Sequence, residues 1–162
     1  MKPFDENLLK ALGKKFTTSQ TTIAVAESVT SGALQLALSS IPNASNFFQG
    51  GITAYNLGQK YKHLHVEPIH ASRVNCVSAQ VAEQMAIYAS QLFQSDWSIG
   101  ITGYASPVPE SGNKLFAHYA IAFKGKIKSS GKIIPKSDTP EDIQFEYADF
   151  VLRKLKGPGI NN

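Results

Sequence analysis

The run Thr22-Ile23-Ala24-Val25-Ala26, followed by Glu27-Ser28-Val29-Thr30-Ser31-Gly32, decides the fold. Its first part is β-branched and apolar without alternation, the pattern of a strand covered on both faces rather than one facing water. Its second part is polar and ends on glycine. Leu34, Leu36, Ala37 and Leu38 then recur at helical spacing. Strand, polar turn and helix in succession open an α/β layer architecture.

The rest of the chain fits around this unit. Upstream, Asp5 is placed to cap a helix with Leu8, Leu9, Leu12 and Phe16 on one face, ending near Thr17. Downstream, Pro42 and Asn43 stop the second helix. Residues 47–55, rich in Phe, Ile, Thr and Tyr, predict a strand with a close backbone approach at Gly50-Gly51. Residues 58–64 predict a short helix, and 66–73, with Pro68, an irregular link. Ser78 caps a helix with Val81, Met85, Tyr88, Ala89 and Leu92 on one face. Residues 97–102 predict another buried strand, and 103–112, with Pro107 and Pro109, a loop. A hairpin of 115–123 and 126–134 about Gly125 follows, then a helix over 140–155 with Ile143, Tyr147, Phe150 and Val151 inward. One α/β domain over 1–156 is expected, with a flexible tail at 157–162.

Composition narrows the function. The chain has 162 residues, 43% hydrophobic and 17% charged, which suits one domain with a real core. Cys76 is the single cysteine, so neither an intrachain disulfide nor a multi-cysteine zinc site is available, and a reducing cytoplasm is the expected setting. No apolar run has membrane-spanning length, and Asp5 and Glu6 fall where a signal peptide is apolar, so no membrane role is expected. The formal charge of +4 comes mostly from lysines. Lys114, Lys124, Lys126, Lys128, Lys132 and Lys136 alternate with other residue types, the look of a solvated hairpin that resists edge-to-edge pairing rather than of a nucleic-acid surface.

Three turns, 27–32, 43–60 and 102–112, follow or flank the strands and are candidate walls of one pocket, because ligands in open α/β sheets bind at strand carboxyl ends. The hydroxyls of Ser28, Thr30 and Ser31 suit either ligand contacts or helix capping. Ser45, Tyr55 and Lys60 are the ingredients of a serine hydrolase with a lysine base. His63, His65, Glu67 and His70 crowd one segment, but their spacing is not that of a zinc motif, and solvated or loop-packed roles are expected. His118 reads as a cross-strand residue and Cys76 as a small buried apolar one. Gly100-Ile101-Thr102-Gly103 lacks the third glycine and following helix of a dinucleotide fingerprint.

At these residues the sequence resembles the CinA C-terminal-domain family, the nicotinamide-nucleotide amidases, from about Leu8 to Leu155. The family's Ala-Glu-Ser-Cys-Thr-Gly-Gly is matched by Ala26-Glu27-Ser28-Val29-Thr30-Ser31-Gly32. Its Gly-Ser-Ser turn with Phe, a glycine pair, Tyr and Lys is matched by Asn43-Ala44-Ser45, Phe48, Gly50, Gly51, Tyr55 and Lys60. Its helix start is matched at Val77-Ser78, Val81-Ala82 and Met85-Ala86, and its Thr-Gly-Ile-Ala-Gly-Pro by Thr102-Gly103-Tyr104-Ala105-Ser106-Pro107.

The resemblance implies a three-layer α/β/α domain and a homo-oligomer. It implies hydrolysis of nicotinamide mononucleotide to nicotinate mononucleotide and ammonia, without metal or organic cofactor. Ser45 would be the nucleophile, Lys60 its base and Tyr55 their neighbour, with Ser28, Thr30, Thr102 and Gly103 contacting a small nucleotide or amide substrate. Ser45, Tyr55 and Lys60 should then converge, with Lys60 buried and its pKa lowered by desolvation. The chain departs from the family at Ser31, Ser106, Val108 and Pro109, which replace glycines, and in having no arginine over 137–146. Lys114 or Lys136 would be a point-charge substitute at a phosphate. These departures set a second reading beside the first: a diverged paralogue without amidase activity, acting as a ligand-binding or interaction protein.

Overall fold

The computed structural model describes residues 3–157. Helix α1 (Glu6–Ser19) starts where the Asp5 carboxylate accepts the N–H groups of Asn7 and Leu8 at 2.8 and 3.4 Å, and it buries Leu8, Leu12 and Phe16. Strand β1 (Ile23–Glu27) is buried throughout. It is followed by α2 (Ala33–Ser39), β2 (Phe48–Thr53), α3 (Leu57–Leu64), α4 (Pro68–Arg73), α5 (Ala79–Phe93) and β3 (Trp97–Gly103). The hairpin β4 (Ala117–Phe123) and β5 (Lys126–Ile133) precedes α6 (Pro140–Lys156).

The five strands form one sheet in the order β2-β1-β3-β4-β5. β1 runs parallel to both β2 and β3, while β4 and β5 extend the sheet antiparallel. On one face Ile23, Val25, Ile99, Ile101, Tyr119 and Ile121 pack with the buried stripes of α1, α2 and α6. On the other, Ala26, Ala120 and Ala122 meet α3 and α5. Helices therefore cover both faces, giving three layers. Helix α5 comes so close that a Cβ on Gly100 would lie 2.2 Å from the Ala82 carbonyl oxygen, which is why glycine stands mid-strand there.

Several expectations change in detail. The segment containing Pro68 is helical: proline occupies the first turn, where its missing N–H costs nothing, and the Glu67 carboxylate accepts from Ile69 and His70 N–H at 2.9 and 2.7 Å. Leu92 is 50% exposed, because the buried face of α5 runs through Ala86, Ala89 and Ser90 and leaves Leu92 at its border. The hairpin turn places Lys124 and Gly125 at φ +49° and +74°, the two left-handed residues of a tight connection. The expected tail falls largely on 158–162, outside the described residues. Among the described residues no helix is long and apolar enough to cross a membrane.

Candidate functional site

The carboxyl ends of the three parallel strands β1, β2 and β3 lie along one edge of the sheet, at Glu27, Thr53 and Gly103. A cleft of about 620 Å³ opens there, with Ser28, Tyr55, Lys60, Cys76, Thr102 and Gln144 among its walls.

Lys60 forms its floor. Asn56 caps α3 by accepting the Gln59 N–H at 3.0 Å, and the helix then carries Lys60 inward until it is 1% exposed. Its Nζ donates to Ser28 Oγ and to the Ala54 carbonyl, each at 2.9 Å. Burial pushes the ammonium below the ordinary lysine range, partly opposed by the neighbouring Cys76. The same burial pushes the Cys76 thiol up, so at neutral pH it stays protonated.

Ser28 is 6% exposed and belongs to a turn fastened at several points. The buried Glu27 carboxylate accepts from Thr30 Oγ1 at 2.6 Å, from Leu34 N–H at 2.9 Å and from Gln35 N–H at 3.0 Å. It thereby caps α2, whose own capping position is Gly32 and offers no side chain. The Ser31 N–H closes the turn onto the Ser28 carbonyl at 3.1 Å. From α6, Gln144 Nε2 donates to the Val29 carbonyl at 2.8 Å.

The opposite wall is equally well held. Asn75 and Cys76 both adopt left-handed backbone, at φ +50° and +61°. The Cys76 N–H donates to the Ala71 carbonyl, and Thr102 Oγ1 donates to the Cys76 carbonyl, both at 2.7 Å. Asn75 Nδ2 reaches the Tyr104 hydroxyl at 3.2 Å, and Tyr147 OH holds the Tyr104 carbonyl at 2.9 Å.

Of the expected trio, only Tyr55 and Lys60 share the cleft, and Tyr55 stands 74% exposed at its mouth. Ser45 does not join them. It is exposed in the 3-10 turn Ala44–Asn46, before β2, whereas Tyr55 and Lys60 follow the far end of that strand. Six residues of strand span about 17 Å, so β2 itself separates the groups. Ser28 takes the place beside Lys60 that had been expected of Ser45. The Thr30 and Thr102 hydroxyls donate within the protein, to Glu27 and Cys76. Gly103 lines the cleft, yet its missing Cβ is explained by β4, since that atom would lie 2.6 Å from Ala117 Cα.

Two contributors escaped the sequence reading. Glu27 is the turn's anchor, to which Gln144 ties α6, and Cys76 is a half-buried cleft residue near a cation rather than an inert core residue. An acidic residue directly after a fully apolar strand was the available signal for the first. The histidines pack locally: His70 Nε2 lies 2.8 Å from Ser78 Oγ, and His65 sits against the Tyr88 ring. Neither Lys114 nor Lys136 lines the cleft.

The arrangement offers a hydroxyl paired with a buried amine whose pKa burial lowers, in a cleft sized for a small molecule. Known proteins share the frame. A CinA-like protein from Picosynechococcus sp. is 41% identical over 112 residues, which is 69% of this chain and 27% of that protein. A putative competence-damage inducible protein from Streptococcus equi subsp. zooepidemicus is 34% identical over 150 residues, 92% of this chain and 34% of its own length. The chain thus spans about a quarter to a third of the curated relatives it matches. Among solved structures, a CinA superfamily protein from Escherichia coli superposes with a TM-score of 0.86 at 30% identity, covering 93% of this chain and 87% of that one. A competence or damage-inducible protein from Enterobacter asburiae gives 0.86 at 28% identity, covering 92% and 94%. The CinA C-terminal domain pattern matches residues 5–157, the whole three-layer unit and both walls of the cleft, and the chain belongs to that family.

Proposed function

We propose that the cleft is the active site of an amidohydrolase in which Ser28 is the nucleophile and Lys60 its base, acting on a primary carboxamide of the nicotinamide type. The observation that carries this reading is the 2.9 Å contact between Lys60 Nζ and Ser28 Oγ, both groups being buried.

With Lys60 neutral, Nζ accepts the Ser28 hydroxyl proton as Oγ bonds to the amide carbon. The oxygen that becomes negative would be held by backbone N–H groups of the turn, where those of Val29 and Thr30 are not used in the turn's own backbone hydrogen bonds. Collapse breaks the C–N bond while Lys60 returns the proton to nitrogen, and ammonia leaves. Water then attacks the Ser28 ester, giving its proton to Lys60. Cleavage of the ester C–O bond releases the carboxylic acid, and the proton on Lys60 restores the serine hydroxyl. On nicotinamide mononucleotide the products are nicotinate mononucleotide and ammonia. The scheme calls on no metal and no organic cofactor, and Tyr55 contributes a ring at the mouth.

The test is ammonia release from nicotinamide mononucleotide by wild type, Ser28→Ala, Lys60→Met and Ser45→Ala. The first two variants should lose roughly a thousandfold or more in kcat, as removal of a nucleophile or its base does. Ser45→Ala should stay near wild type. Wild-type rates in Ser28→Ala, or a collapse confined to Ser45→Ala, would remove Ser28 from the mechanism. Background rates in all four proteins, on this nucleotide and on the corresponding riboside, would leave the diverged ligand-binding reading.

A further inference from the structure

We propose that this cleft is built for a primary amide on a neutral or cationic ring that carries no phosphate. The inference rests on the amidohydrolase reading and concerns what the cleft can hold beyond the amide.

The charges decide it. Among the described residues lining the cleft, Lys60 is the one cationic side chain and Glu110 the one carboxylate. Lys60 is committed to Ser28 and the Ala54 carbonyl at the floor, and it must be neutral to take the serine proton. At the moment of attack the cleft therefore offers an anion no positive partner and one negative neighbour. The two arginines do not help: Arg153 is engaged with Asp149 at 2.7 Å, and Arg73, on α4, is not among the cleft residues.

Helix N-termini favour anions, but the residues at the start of α6 work against that attraction. Pro140 lines the cleft and has no N–H, the Asp142 N–H is taken by Thr139 Oγ1 at 3.3 Å, and Glu141 and Asp142 place carboxylates in that first turn. A dianion here would be desolvated without a charge-assisted hydrogen bond. A flat ring fares better. Tyr55 and Tyr104 offer aromatic surface, and Glu110 complements a ring bearing positive charge.

Nicotinamide mononucleotide and nicotinamide riboside share the amide and the cationic ring and differ by the phosphate, so they make the probe pair. Wild type should release ammonia from the riboside with a kcat/KM equal to or about tenfold above that for the nucleotide, tenfold being the scale of one charged contact. Ser106→Arg, which adds a cation at an exposed position of the cleft wall, should raise the nucleotide's kcat/KM by about tenfold and the riboside's by much less. Ser28-dependent release that favours the nucleotide tenfold or more in wild type would overturn the inference and leave the amidohydrolase reading intact. If neither compound gives Ser28-dependent ammonia, that reading fails, and equilibrium dialysis of both compounds against the wild-type chain decides the inference alone. Nucleotide binding tenfold tighter than riboside binding overturns it, and riboside binding at least as tight as nucleotide binding supports it.

Discussion

Lys60 Nζ donates to Ser28 Oγ at 2.9 Å across 32 positions of sequence. The two meet because the strand before Ser28 and the strand before Lys60 run parallel and neighbour one another, so both deliver their following turns to the same edge. A salt bridge would have held the lysine charged. A serine hydroxyl and a carbonyl leave it able to lose its proton, and this has consequences for pH.

Burial lowers the Lys60 pKa below the unfolded value of 10.5, so between the two values the unfolded chain binds more protons than the folded one. Stability attributable to Lys60 must then rise with pH across that interval and level off above it. Urea unfolding of wild type and Lys60→Met from pH 7 to 10.5 should show their stability difference shifting in favour of wild type as pH rises. In the same window, ammonia release should climb with a midpoint below the ordinary lysine range. A difference that stays flat would mean that Lys60 titrates like an exposed lysine.

Glu27 anchors the Ser28 turn through both carboxylate oxygens. Glu27→Ala should cost about 3 kcal/mol or more, since hydrogen bonds to charged groups are worth roughly 1.5 to 3 kcal/mol each and are not additive. Glu27→Gln should fall between, because an amide can accept from Thr30 and Leu34 but sets an NH2 against the Gln35 N–H. Chemical denaturation gives the order, and a Gln variant as stable as wild type would show that the second oxygen contributes nothing.

Gly100 and Gly58 should respond oppositely to alanine. At Gly100 the new Cβ would meet Ala82 O at 2.2 Å and Ala86 N at 2.5 Å, so α5 must shift off the sheet, at about 3 kcal/mol. At Gly58, within α3, the nearest atom would be 3.5 Å away, and the substitution should stabilise by about 0.5 to 1 kcal/mol through the helix preference of alanine. Thermal melts of the two single variants check the contrast.

Tyr147 is fully buried in α6 and its hydroxyl donates to the Tyr104 carbonyl at 2.9 Å, fixing the loop that closes the cleft. Burial, with help from Glu146, holds its phenol protonated well above the usual tyrosine range. Tyr147→Phe should lose about 1 kcal/mol, with the unpaired carbonyl the main cost. The loss should be the same at pH 6 and pH 9 and shrink above pH 10, where the unfolded chain ionises the phenol and the buried one keeps its proton; a loss that does not change above pH 10 would contradict the burial argument.

Features that depend on neighbours along the chain are legible in the order of the residues. An unbroken apolar run marked β1, Asp5 and Ser78 announced their helices as capping side chains, and Gly125 marked a turn that needs left-handed backbone. Ordered motifs carried the family, and Lys60 was singled out and expected to be buried. Pro68 shows the limit of local signals, since the same residue breaks a helix or begins one depending on whether a cap such as Glu67 precedes it. Which serine meets the lysine depends on the packing of the whole sheet. Ser45 is nearer to Lys60 in sequence than Ser28, but β2 intervenes and carries the chain from one edge of the sheet to the other. Strand order then brings the distant Ser28 alongside. Periodicity reports which face a residue buries; which strand ends share an edge is set by pairing between segments far apart in the chain, and no local pattern encodes that pairing.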